Sequence, residues 1–307
     1  MTRAPSLLRR RLLSVALCLI SAAACGGTRP IATDVRVAAS PLDVMTFNLR
    51  YAHTQPPDLW PDRLPVVSDL IERLRPDIIG TQEGLYHQIL DLEESLPAYE
   101  WIGTGRDGDS RGEFMAVFYR RERLEPLAYE NYWLSDNPTV AGSRTWGNNY
   151  PRMVTSVRFR DRLNGGEVMF VNTHLDHEVQ RSRERSAALI LERLAATPRE
   201  TPLILVGDFN VGAGDNPVYD LLTGPGGFID SWVAAGNPDT LGTFHGFKGA
   251  AAARGARRID WILVRGPAVV VSSTIITHSR KGQLPSDHFP VVARVRVALD
   301  TRDRSSR

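Results

Sequence analysis

From position 43 onward the chain alternates short apolar runs with amphipathic stretches of helical period. Apolar, β-branched-rich runs at 44–49, 77–81, 114–119, 153–159, 168–173, 203–206, 259–264, 269–276 and 291–297 predict nine strands. Several of them, such as Leu203-Ile204-Leu205-Val206, are apolar at odd and even positions alike. That is the pattern of a strand covered on both faces. Between the strands, Val66, Val67, Leu70, Ile71 and Leu74 share one face of a helix opening near Pro65. Ala187, Ile190, Leu191 and Leu194 do the same in a segment that ends before Pro198. A shorter helix is expected from Pro217, with Asp215 or Asn216 as its cap. No composition break or internal repeat divides residues 43 to 298, so a single α/β domain over 42–298 is expected, with large sheets covered by helices.

The segments outside that domain read differently. Arg9-Arg10-Arg11, an apolar stretch from Leu12 to Ile20 and the small residues Ser21-Ala22-Ala23-Ala24 have the order of a signal peptide over 1–24. The apolar stretch is too short to span a bilayer as a helix. Cys25, after three alanines, resembles the lipidated cysteine of a bacterial lipobox, although Ala22 stands where that motif usually has leucine. The expectation is an exported protein, anchored to a membrane through lipidated Cys25 and facing the periplasm or cell surface, with plain secretion as the alternative. Residues 25–41 then form a flexible tether, and 299–307 a polar tail.

Composition fits an ordinary soluble globular domain, with 42% hydrophobic and 23% charged residues among 307. The net charge of +2 changes meaning once the leader is set aside, because removing Arg3, Arg9, Arg10 and Arg11 from the 37 basic residues leaves 33 against 35 acidic ones. A mature chain near −2 has no global field to hold nucleic acid, so an anionic substrate must meet a local patch. Of the two cysteines, Cys18 lies in the leader, so no internal disulfide is expected and the core alone must hold the fold.

Polar residues recur where the apolar runs end. In chain order they are Asn48 in Phe47-Asn48, Glu83 in Gln82-Glu83, His174 in Thr173-His174, Asp208 and Asn210 in Gly207-Asp208-Phe209-Asn210, Asp260 in Ile259-Asp260-Trp261, and Asp287 with His288 in Ser286-Asp287-His288. Any one of these reads equally well as a helix cap. Acids, amides and imidazoles are costly to bury unpaired, so the full set points to a rim where a metal ion or a phosphate is held.

The ordered set resembles the endonuclease/exonuclease/phosphatase superfamily, typified by pancreatic deoxyribonuclease. The resemblance implies a four-layered sandwich, two packed mixed β-sheets flanked by helices, with the site at one edge. It also implies a metal-dependent phosphoric ester hydrolase in which Glu83, supported by Asn48 and Asp287, holds Mg²⁺ or Mn²⁺. Such all-oxygen donors suit hard cations. Asp208 would activate water and could hold a second ion, and Asn210 would bind a phosphate oxygen. His288, oriented by Asp260, would meet phosphate charge. His174 would protonate the leaving oxygen, with Glu113 of Arg111-Gly112-Glu113-Phe114 orienting it.

Further candidates for substrate binding are Trp60 and Arg63 after Asn48, and Trp146 and Arg152 around the Trp146–Arg152 run. Either arginine could grip a phosphate through two nitrogens. The competing reading is that the tryptophans pack loops and the arginines are solvated. Asp176-His177 reads as a solvated helix start more than as an extension of the site. Arg254, Arg257, Arg258, Arg280 and Lys281 put positive charge on loops near Asp260 and Asp287. Together these features predict a monomeric exported hydrolase of a phosphorylated substrate, phosphodiesterase- or nuclease-like by preference. The alternatives are a phosphomonoesterase for sugar, inositol or nucleotide phosphates, a phosphodiesterase for phospholipid head groups, and a catalytically inactive binding protein of the same fold.

Overall fold

The computed structural model describes residues 41–297. In chain order the first half comprises β1 (Leu42–Asn48), α1 (Trp60–Leu74), β2 (Ile78–Gln82), β3 (Gly84–Leu85), α2 (Tyr86–Ser95), β4 (Tyr99–Ile102), β5 (Glu113–Phe114), β6 (Val117–Arg120) and β7 (Leu124–Trp133). The second half comprises β8 (Met153–Asp161), β9 (Glu167–His174), α3 (Gln180–Leu194), β10 (Leu203–Asp208), α4 (Pro217–Thr223), β11 (Ile229–Asp230), α5 (Ser231–Ala234), α6 (Ala250–Ala253), β12 (Asp260–Arg265), β13 (Ala268–Ile275) and β14 (Val291–Val297). The leader, Cys25, the tether and the 299–307 tail lie outside the described residues.

Two six-stranded sheets carry the domain, in the orders β13-β14-β1-β2-β6-β4 and β11-β12-β10-β9-β8-β7. The double-sided apolar runs are what stack the layers. In β10, Ile204 and Val206 join Val44, Ile78, Val157 and Phe170 in the core between the sheets. The intervening Leu203 and Leu205 face outward and pack with Ala187, Ile190 and Leu194 of α3 and Val218 and Leu222 of α4. In the other sheet Met45, Phe47 and Ile79 face outward against Val67, Leu70 and Ile71 of α1 and Ile89 and Leu92 of α2. Alternate side chains of a strand point to opposite faces, so one apolar run feeds two cores and the result is four layers.

Several expectations shift. The run at 114–119 is two strands, β5 and β6, broken at Met115-Ala116. α1 opens at Trp60 and carries Pro65 inside it. The helix at Pro217 is capped by Asn216, whose side chain accepts from the Val218 amide. Unforeseen elements are α2, β4, β7 and the short β3, β11, α5 and α6. β7 is the edge strand of its sheet and mostly exposed along its middle, with a bulge between Pro126 and Ala128. An edge strand tolerates proline and needs no apolar alternation, so it leaves little trace in the sequence.

Candidate active site

The polar residues noted at strand ends converge on one edge of both sheets. Asn48 closes β1, and Glu83 follows its parallel neighbour β2. His174 and Asp208 close the parallel pair β9 and β10, and Asp260 opens the antiparallel neighbour β12 opposite Asp208. Asp287 and His288 precede β14. Gly207 is explained by the same ladder: a Cβ there would collide with the Thr173 carbonyl oxygen on β9. Three non-glycine residues near this edge, Arg50, Glu83 and Asn210, hold positive φ of 55°, 63° and 52°. Such left-handed backbone costs energy and gathers at functional sites.

Asn48 joins the two sheets. Its Nδ2 donates to Glu83 Oε1 and to Asp208 Oδ2, both at 2.9 Å. Its Oδ1 accepts from the Arg50 backbone N–H at 2.9 Å, which turns the amide oxygen away from the carboxylates. Asn48 thus spaces two acids in this structure, where the sequence predicted an oxygen ligand. Glu83 also accepts from the Tyr51 amide at 3.2 Å. The Arg50 guanidinium lies 3.7 Å from Glu83 and 3.6 Å from Asp287.

The donor set fits a hard divalent cation. Ligand atoms of Glu83, Asp208 and His288 lie within 4.8 Å of one another, and Asp287 adds a further carboxylate facing Arg50. Burial pushes Glu83 up, and His288, Asn48 and Arg50 more than offset it, so this acid sits below its usual value. Burial holds Asp287 above the usual range. Carboxylates crowded in this way invite a cation, and their oxygens match magnesium or manganese better than zinc.

His288 donates through Nδ1 to Asp260 Oδ2 at 2.9 Å, and its Nε2 lies 3.8 Å from Asp208. Burial opposes a charge on this ring, but Asp260 and Asp208 outweigh it and raise its pKa to about 10. An imidazolium is a poor metal ligand and a good partner for phosphate oxygens. Asp208 is pushed up to about 7 by burial and by Asp260, against the pull of His288.

On the other side of the cleft, the Asn210 Nδ2 donates to the Leu175 carbonyl at 3.0 Å and reaches His174 Nε2 at 2.8 Å. The amide orientation fixed by Leu175 makes Nε2 the acceptor, so the proton of neutral His174 sits on Nδ1. Burial, then Arg152 and Arg106, hold His174 well below its ordinary value. Its Nδ1 faces Glu113 at 4.0 Å, whereas Glu113 bonds Arg106 at 2.6 Å. Glu113 was expected to orient His174; its short contact is with Arg106 instead. Burial raises Glu113 to about 7, with Arg106 opposing.

These groups line a cavity of ≈ 590 Å³ that also receives Arg50, Arg106, Tyr150, Arg152, His177 and Phe244. Arg152 therefore belongs to the site. Arg63, Trp60 and Trp146 do not line it. The Arg63 guanidinium is fully buried and donates to the backbone carbonyls of Asp58, Leu49, Pro285 and Arg50. Trp60 packs in the core under α1 and donates to Asp91, and Trp146 packs beside Tyr132 and Leu134 and donates to Asp136. Asp176 caps the turn before α3 through the amides of Glu178 and Val179, but His177 reaches the cavity. Among the basic loop residues, Arg258 is buried against Asp230 and Arg257 pairs with Asp215, and none lines the cavity. Arg106 and Phe244 carried no motif; Tyr150 stood unremarked inside the Trp146–Arg152 run.

Comparison with known proteins agrees with this geometry. The model of the Endonuclease/Exonuclease/phosphatase family matches residues 45–288. A solved endonuclease/exonuclease/phosphatase from Bacteroides vulgatus is 33% identical, covers 84% of this chain and 99% of its own, and superposes with a TM-score of 0.79. A mannosyl-6-phosphatase from Bacteroides thetaiotaomicron is 34% identical over 83% of this chain and 99% of its own, at a TM-score of 0.77. At 17% identity the fold alone is shared with D. rerio TDP2 in complex with a single-strand DNA product, over 83% of this chain and 99% of that one at a TM-score of 0.68. With the ordered motifs, the sandwich and the matched region all in register, the chain belongs to the endonuclease/exonuclease/phosphatase family.

Proposed function

We propose that the protein hydrolyses phosphate monoesters of small molecules with the help of a divalent cation, releasing an alcohol and inorganic phosphate. The observation that carries this reading is the convergence of the site on one compact cavity. The acids and histidines converge in a cavity of ≈ 590 Å³, a size suited to a small ligand. None of the basic loop residues that could have extended it toward a polyanion lines it, and Arg257 and Arg258 are paired with acids. The Bacteroides mannosyl-6-phosphatase, similar along nearly its whole length, supports the same substrate class. This reverses the sequence-based preference for a diester or nucleic acid.

Glu83, Asp287 and Asp208 would hold the cation, which when bound neutralises phosphate oxygens and the charge that grows in the transition state. Asp208 takes a proton from the attacking water as the new O–P bond forms. His288, kept charged by Asp260, grips a phosphate oxygen through Nε2. As the bond from phosphorus to the alcohol breaks, Glu113, raised to about 7 by burial, gives its proton to the leaving oxygen beside His174. The chain's first residues support export and anchoring through Cys25, which lipid-precursor labelling of cells with intact or substituted Cys25 would test.

The activity test is a panel of p-nitrophenyl phosphate, its bis-ester, hexose phosphates, nucleotides and plasmid DNA with Mg²⁺ or Mn²⁺. Monoester turnover that disappears with EDTA and with Asp208→Asn is expected. Faster cleavage of the bis-ester or of DNA would replace the reading with a phosphodiesterase, and full activity after chelation would remove the metal.

A further inference from the structure

Resting on that reading, we infer that Tyr150 and His177, with Arg106 and Arg152 behind them, form a subsite for the alcohol half of the substrate, and that this half is a hydroxyl-rich ring such as a sugar or cyclic polyol. The subsite comes from the segment between β4 and β5, the loop before β8 and the turn after β9. All four residues line the cavity, with Arg106 bonded to Glu113 and Arg152 to His177. The Tyr150 ring stands over the Arg106 guanidinium at 5.0 Å and beside the His177 imidazole at 5.9 Å, yet 47% of it stays exposed. Its backbone is held by the Asn148 amide, which donates to the Tyr150 carbonyl at 2.6 Å. An aromatic ring fixed in this way offers an electron-rich face to the C–H faces of a saturated ring.

The polar groups around it have spare donors but no spare charge. Arg106 and Arg152 are only 9% and 3% exposed, and Arg106 Nε and Arg152 Nη1 lack hydrogen-bond partners, while Arg152 Nε faces Asp176 Oδ2 at 3.6 Å. Buried guanidinium N–H groups left unpaired are costly, and both belong to residues that line the cavity. Each cation already has its own carboxylate, Glu113 at 2.6 Å from Arg106 and Asp176 at 3.6 Å from Arg152. A second phosphate or carboxylate would find its countercharge spent. Neutral hydroxyls, which both donate and accept, suit a wall of paired arginines and acids. The position fits a leaving alcohol, because Glu113 alone separates Arg106 from His174.

The test compares kcat/KM for a hexose 6-phosphate with that for p-nitrophenyl phosphate in wild type, Tyr150→Ala and His177→Ala. Both side chains are well exposed, His177 at 44%, so the variants should fold, and thermal unfolding checks that they do. The hexose-to-nitrophenyl selectivity ratio should drop about tenfold or more in each variant, mainly through KM, as expected when a binding contact to the non-reacting half is lost. A ratio within about twofold of wild type in both variants overturns the subsite while leaving the phosphatase reading standing. A larger drop for nucleoside monophosphates than for hexose phosphates overturns the hydroxyl assignment in favour of base stacking. A wild type that hydrolyses neither monoester overturns the phosphatase reading itself.

Discussion

Arg63 offers the sharpest test of how the core supports the site. Its guanidinium donates Nε to Asp58 O at 2.8 Å, Nη1 to Leu49 O at 2.5 Å and Pro285 O at 3.0 Å, and Nη2 to Arg50 O at 2.9 Å. One side chain on α1 thereby fastens the segment after Asn48 to the segment before Ser286-Asp287. Replacing it with methionine keeps much of the volume and leaves the carbonyls of Asp58, Leu49 and Pro285 without this donor, while Arg50 O keeps only the Gln88 amide. Hydrogen bonds to a charged group are worth about 1.5–3 kcal/mol each. Part of that returns because a buried cation, held down to about 10 by desolvation, is removed. Loss of one member of a buried charged network costs about 3–5 kcal/mol, which lowers Tm by roughly 10 °C in a domain of this size. Urea and thermal unfolding in EDTA measure this directly. Lysine at this position retains charge and three donors but places them all on one nitrogen, which cannot reach the four carbonyls that Nε, Nη1 and Nη2 span, so Arg63→Lys should recover less than half of the loss. Stability of Arg63→Met within about 1 kcal/mol of wild type would refute the reasoning, as would full recovery with lysine.

Other outcomes follow from the same geometry. Asp260→Asn replaces the carboxylate 2.9 Å from His288 with a neutral amide and should lower kcat by about 100-fold in Mg²⁺ with the fold intact by circular dichroism; a loss under about threefold speaks against a charged His288. Gly207→Ala pushes a methyl into the Thr173 carbonyl and should cost about 3 kcal/mol in urea unfolding, together with activity, because β9 and β10 carry His174 and Asp208. His245, buried against Phe289 with neither ring nitrogen hydrogen-bonded, is held down to about 4 by burial and by nearby His288. The unfolded chain therefore takes up a proton near pH 6.5 that the folded one refuses until about pH 4, and stability present above 6.5 is lost as pH falls through this window. In EDTA, His245→Phe should flatten that slope by about 2 kcal/mol; equal slopes would contradict it.

How much of this was legible from the residues depended on whether the information was local. The double-sided strands and the acids that end them could be read because burial on both faces leaves a continuous apolar run, and a site needs its polar groups at the ends. Arg63 and Arg152 look alike in sequence, each an arginine within six residues of a tryptophan. Their fates diverge because carbonyls of Leu49, Arg50 and Pro285 converge on the first, and backbone carbonyls carry no residue code. Tyr150 and Arg106 were missed for the same reason, since only the fold brings residues 44 positions apart into contact. β7 escaped because an edge strand need not bury either face regularly.

The order of the motifs along the chain is a consequence of topology. Each sheet contains a parallel pair, β1 with β2 and β9 with β10, flanked by an antiparallel neighbour, β14 beside β1 and β12 beside β10. The carboxyl ends of a parallel pair lie together, where ligands of α/β sheets bind; they deliver Asn48 and Glu83 from one sheet, His174 and Asp208 from the other. An antiparallel neighbour begins where the pair ends, so β12 starts with Asp260 and the approach to β14 carries Asp287 and His288. Packing the sheets face to face then sets the end of β1 against the end of β10, and the Asn48 amide spans them to reach Asp208. The carboxylates for a cation and the charged histidine for a phosphate are thus assembled from two similar three-strand units. A shift of register in either one would separate Asp208 from Asn48 and His288 together.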